Sequence, residues 1–110
     1  MSDERKLTGD PDMDAMLERC LRILRVKGDD YTVGRGDADR LHNFRTAAEF
    51  LGVGMEVVWS TYFYKHVSAI FAWAKGKTES EPIEERVADA VNYLLLLSKI
   101  VADLKKRGAP

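Results

Sequence analysis

The chain has 110 residues, 45% of them apolar, with 17 basic against 18 acidic residues and a formal net charge of −1. That length holds one domain with one core, and near-neutral charge argues against a general nucleic-acid binder, which would carry a basic face. The single cysteine, Cys20, excludes an intramolecular disulfide, no apolar run reaches the roughly 18 residues of a membrane span, and polar Met1–Asp10 lacks the apolar core of a signal peptide, so the expected location is the cytoplasm, with no membrane partner.

Residues 1–9 are polar and predict a flexible tail; the single helical domain is expected over 10–107. Asp10–Pro11 predicts a helix start, with Asp as the cap and Pro in the first turn. Met13, Leu17, Cys20 and Leu24 follow at helical spacing, and Gly28 is expected to stop this helix near Lys27. Residues 28–36 contain Gly28, Gly34 and Gly36, which predicts a loop. Asp37 is the expected cap of a second helix that turns Leu41, Phe44, Ala48 and Leu51 inward and ends at Gly52 and Gly54.

A third helix is predicted from Met55 to Lys75, stopping at Gly76. Met55, Trp59, Tyr62, His66, Ile70 and Trp73 share one of its faces, while Val57, Tyr64, Val67 and Phe71 make the opposite side apolar too. A helix apolar on both sides is central or shared with another subunit, so a homo-oligomer is expected through the aromatic face of this helix. Ser80 or Glu81 is the expected cap of a fourth helix, with Pro82 in its first turn and its end near Lys106. Ile83, Val87, Ala90, Leu94, Leu97, Val101 and Leu104 form its heptad stripe, which is expected to be the buried one. No segment alternates with period two, so the predicted fold class is all-α, a compact four-helix antiparallel bundle.

The chemistry-bearing residues fall in three places. On the fourth helix, Glu85, Asp89 and Asn92 lie away from the heptad stripe. Alone they fit a solvated outer face; covered by a second helix, the carboxylates of Glu85 and Asp89 suit Mg²⁺ and the Asn92 amide suits a base or sugar. His66 is either a satisfied core histidine or, beside Lys65, half of a phosphate-contacting pair. In the Gly-rich segment, Asp29, Asp30, Asp37 and Asp39 fit turns and caps, and no P-loop or EF-hand pattern is present. Tyr31 and Phe44 suit either a stacked base or the core.

Taken in order, Lys27, Asp30–Tyr31, Asn43–Phe44, Lys65–His66, Glu79–Ser80 and Asp89 with Asn92–Tyr93 make a series that resembles small helical proteins of bacteriophages and prophages, the nucleotide modification associated domain 1 group. The resemblance spans about residues 20–98. More distantly, the chain is similar to the all-α nucleoside triphosphate pyrophosphohydrolases of the MazG and dimeric dUTPase type. Here Glu85 and Asp89 are spaced by four, where that type has Glu-x-x-Asp, and the first acidic motif of that type is absent from the first three helices.

The resemblance implies a phage-type nucleotide-handling protein that binds a nucleotide between the third and fourth helices. Lys27, Asp30, Tyr31, Asn43, Asn92 and Tyr93 would bind the substrate, and Lys65 and His66 would act on phosphate. In the enzymatic form, an Mg²⁺-dependent pyrophosphohydrolase, Glu85 and Asp89 would hold the metal. The alternatives are a nucleotide sponge without turnover and a helical interaction or regulatory protein.

Overall fold

The computed structural model describes residues 7–32, 41–78 and 80–108, with 27–32 described by backbone alone. Among them are four helices and no strand: α1 (Pro11–Thr32), α2 (His42–Leu51), α3 (Met55–Ala74) and α4 (Ile83–Lys106). None of these helices is long and apolar enough to cross a membrane.

The start of α1 follows its sequence signal. The Asp10 carboxylate accepts hydrogen bonds from the backbone N–H of Asp12 at 2.9 Å and of Met13 at 3.0 Å. Such a cap contributes about 1 kcal/mol. Within the expected tail, the Thr8 backbone N–H and hydroxyl both donate to Asp14 Oδ1, at 2.9 and 2.7 Å. The end of α1 corrects the sequence reading. The helix does not stop at Lys27 but runs through Gly28 to Thr32. A lone glycine costs a helix interior only about 1 kcal/mol and does not by itself terminate it. The first five residues of the expected loop are thus helical; residues 33–36 and the expected cap Asp37 lie outside the described residues.

Leu41 precedes α2, and no side chain caps that helix. Gly52 ends it in the left-handed conformation, at φ 72°, which glycine adopts without strain. Leu41, Phe44 and Ala48 are buried as expected, but Leu51 is exposed; Met55, not Leu51, joins them in the core cluster. Helix α3 ends at Ala74, and Gly76, at φ 87°, makes the turn behind it. Pro82 itself is the residue before α4, and neither Ser80 nor Glu81 provides a side-chain cap.

The helices pack in an open series: α1 on α4, α4 on α3, and α3 on α2. Among the described residues no other pair packs to a comparable extent, although α2 also meets α4 in the core, where Phe44 lies edge-on to Tyr93. The core cluster lies where α2, α3 and the C-terminal half of α4 meet, around Leu41, Phe44, Met55, Val58, Trp59, Leu96 and Ile100. The Trp59 indole N–H donates to the Tyr93 carbonyl at 2.6 Å, tying α3 to α4.

The buried face of α4 is the main correction. Leu94 and Val101, from the expected stripe, are exposed, whereas Ala88, Asn92, Leu96 and Ile100 are buried. At about 100° per residue, the buried positions occupy an arc of roughly 200° with Asp89 near its middle. The physical reason is that α4 packs mainly on two neighbours, α1 and α3, and buries the arc they cover together rather than its most apolar line. Ala88, fully buried, lets α1 approach closely. The Cys20 thiol reaches the Ala88 carbonyl at 3.8 Å, and the Asn92 amide donates to the Cys20 carbonyl at 3.1 Å. Met13, in the first turn of α1, is exposed rather than on this contact.

Candidate functional site

Two helices bring the central polar pair together. His66 lies two turns after Trp59 on α3, and Asp89 lies one turn before Tyr93 on α4, so the Trp59–Tyr93 bond sets the crossing that apposes them. His66 Nδ1 and Asp89 Oδ2 are 3.9 Å apart, with side chains only 12% and 16% exposed. That separation suits an ion pair when the imidazole is protonated and is longer than a hydrogen bond.

An aromatic wall adjoins the pair. The Tyr93 ring lies 5.0 Å from the His66 ring, and Tyr62 stacks on Tyr93 at 6.3 Å with an interplanar angle of 28°. Phe44 of α2 meets both tyrosines edge-on, at 6.0 and 6.4 Å. Offset and edge-on geometry is what aromatic quadrupoles favour. Tyr62 remains about half exposed, so the wall opens to solvent there. Lys65 is exposed one step around α3 from His66, and Asn43 is exposed beside Phe44.

The remaining sequence candidates separate. Glu85, in the first turn of α4, is exposed, whereas Asp89 one turn on is turned inward toward His66. Asn92 is buried, and its amide is used by the Cys20 carbonyl of α1. The side chains of Lys27, Asp30 and Tyr31 lie outside the described residues, though their backbone belongs to α1. Among the described residues no group of three or more His, Cys, Asp or Glu side chains is arranged to hold a metal ion. Glu85 and Asp89 therefore do not form a complete metal cage by themselves.

Two features escaped the sequence reading. Arg86 is buried on α4, with Nη2 3.4 Å from Glu81 Oε1. Tyr62, which shares a face of α3 with Met55, Trp59 and His66, is the exposed edge of the aromatic wall. The signal for Arg86 was its three-residue spacing from Asp89, which puts both on one side of α4. Cys20 is buried where α1 packs on α4. Burial pushes its thiol above the ordinary value, and the negative charge of Asp89 adds to this, so it stays protonated and unreactive. Open hollows on the described surface include one of about 380 Å³ around Arg45, Glu56 and Arg107 and one of about 450 Å³ around Arg19, Arg22 and Glu84. Neither includes His66 or Asp89, and each mixes acidic with basic side chains.

No family model, curated protein or solved structure matches the chain.

Proposed function

We propose that the protein binds a nucleotide at the α3–α4 seam, as a phage-type nucleotide-handling protein. The observation that carries this reading is the apposition of His66 and Asp89 at 3.9 Å beside an aromatic wall that opens at Tyr62. A small domain loses stability by burying such a pair where apolar side chains would pack, so a ligand role gives the arrangement a purpose. In this reading the base stacks on Tyr62, the exposed end of the wall that Tyr93 backs, as bases do on exposed rings. Lys65 supplies a fixed cation to phosphate, and His66, oriented by Asp89, supplies a donor. Asn43 is the polar group available at the edge of the wall. Asn92 supports the site by holding α1 against α4.

Binding without turnover is the form best supported. The enzymatic form, an Mg²⁺-dependent hydrolysis, needs Glu85 and Asp89 to share a metal with phosphate oxygens and water. The inward turn of Asp89 and the outward position of Glu85 favour binding over that form. A second reading, an interaction protein, rests on the exposed apolar outer face of α3, which also suits self-association into a homo-oligomer.

The test is thermal unfolding against a panel of nucleoside mono-, di- and triphosphates, in Mg²⁺ and in EDTA. A ligand at tenfold its Kd adds about 1.4 kcal/mol, or a rise of roughly 6–11 °C in Tm. The expected result is such a rise with at least one nucleotide in EDTA, lost in Lys65→Ala and in Asp89→Asn. A panel that leaves Tm unchanged in both conditions overturns the proposal; stabilisation and product release only with Mg²⁺ select the enzymatic form.

A further inference from the structure

We infer that the outer face of α3 is a self-complementary seam on which a second copy of this chain docks antiparallel, about a two-fold axis beside the midpoint between Lys65 and His66. This rests on the self-association part of the reading above and is independent of nucleotide binding.

Val57, Ser60, Tyr64, Val67, Phe71 and Ala74 alternate at three and four residues, which is an a/d heptad pattern. All six lie on the side of α3 turned away from Met55, Val58, Trp59 and Ala69, the residues that α3 buries. Tyr64 is 72% exposed and Phe71 62%, and Val57 about half. None of the six is charged in a chain that is 32% charged. A solvated helix face of that length, about 27 Å, would carry ions.

The order of sizes chooses the direction of the partner. A parallel pair sets Tyr64 on Tyr64 and Phe71 on Phe71, crowding those layers, while the Ser60 and Ala74 layers are left underfilled. Both faults are destabilising. The antiparallel pair opposes large and small in every layer. Val57 meets Ala74 of the partner subunit, Ser60 meets Phe71 of the partner subunit, and Tyr64 meets Val67 of the partner subunit. Antiparallel helices also align their dipoles favourably. Of the flanking positions, Thr61 and Ser68 beside the middle of the seam are small and uncharged, and the charged ones, Glu56 and Lys75, lie at its two ends.

The area is adequate for a dimer. With side chains of 150–250 Å², Tyr64 and Phe71 together present roughly 270 Å² per copy. Two copies supply about half of the roughly 1,000 Å² that a specific interface needs. The other four seam residues and their flanks on each copy complete it. Among the described residues α3 packs chiefly on α4 and α2, and no other helix packs on this face to a comparable extent.

The experiment is sedimentation of the full chain at about 100 µM without nucleotide, followed by cysteine cross-linking. The expected species is a dimer, and Tyr64→Glu is expected to be monomeric with unchanged helicity by circular dichroism. Tyr64 is exposed within one chain, so the variant folds if the seam is its only role. The double variant Val57→Cys with Ala74→Cys is expected to give a reducible dimer under mild oxidation, whereas Val57→Cys alone gives none. Within one copy these positions are about 26 Å apart, so the bond can only be intermolecular. A monomeric wild-type chain, a Tyr64→Glu variant that stays dimeric, or cross-linking by Val57→Cys alone each overturns the seam. A monomer that is still stabilised by nucleotide overturns the seam alone, and a cross-linked dimer with a flat nucleotide panel overturns the binding proposal alone.

Discussion

Leu94 and Leu96 are the same residue two positions apart on α4, and truncating each to alanine isolates which face of the helix is buried. Leu96 is 8% exposed and belongs to the core cluster with Ile100 and Trp59; Leu94 is 50% exposed. Leu96→Ala removes buried methyl groups and leaves a cavity, a change that costs about 3 kcal/mol. Leu94→Ala removes a half-wet side chain and leaves no enclosed cavity, so its cost is about 1 kcal/mol. Helix propensity does not blur the comparison, because the exchange is identical and both sites are interior to α4. The expected difference of about 2 kcal/mol is large against a total stability of about 5–15 kcal/mol. Urea unfolding followed by circular dichroism at 222 nm reads it as a lower midpoint with an unchanged slope. If Leu94→Ala costs as much as Leu96→Ala or more, the heptad stripe is the buried face after all, and the inward position of Asp89 falls with it.

Asn92→Ala deletes the donor to the Cys20 carbonyl and leaves a small void between α1 and α4, so a loss of about 1–3 kcal/mol is expected; hydrogen exchange should show the loss concentrated in α1, and a uniform change would count against it. Cys20, whose folded-state value lies above its ordinary 9.0, keeps its proton in the folded chain at a pH where the unfolded chain has already lost it. Stability should therefore fall as pH rises past about 9.0, and iodoacetamide at pH 8 should modify Cys20 in urea but not in the native protein. Native labelling at the unfolded rate would refute its burial. Hydrogen bonds from Thr8 hold the Asp14 carboxyl below its ordinary value of 3.8, so their contribution is present above that value and lost as pH falls through the lower folded-state value. Thr8→Val removes the hydroxyl donor and keeps the backbone one, so it should move the Asp14 titration, followed by NMR, part of the way toward 3.8, and an unmoved titration would exclude the Thr8 hydroxyl as a cause. Asp89→Asn keeps the shape of the side chain and removes its charge, so it should abolish nucleotide-dependent stabilisation while leaving the helical content intact; retained stabilisation would remove Asp89 from the site.

Local signals in the sequence determined the helices. Asp10 caps α1 through its carboxylate, Gly52 and Gly76 turn the chain after α2 and α3, and α3 and α4 run within a residue or two of the expected limits. Capping and glycine conformation act within one turn of backbone, so neighbouring residues suffice to read them. Gly28 shows the limit even there, because α1 continues through it.

Only the tertiary structure decided which faces those helices bury. Helix α4 has leucine, valine or isoleucine on most of its circumference, so its periodicity marked a stripe but not a partner. The arc that became buried is the one spanned jointly by α1 and α3, and it takes in Arg86, Asp89 and Asn92 while leaving Leu94 and Val101 outside. The sequence therefore named His66 and Asp89 as candidates, and packing decided that they sit 3.9 Å apart, with little exposure, rather than on opposite surfaces. Burial is a property of two surfaces together, and a single helix carries only one of them.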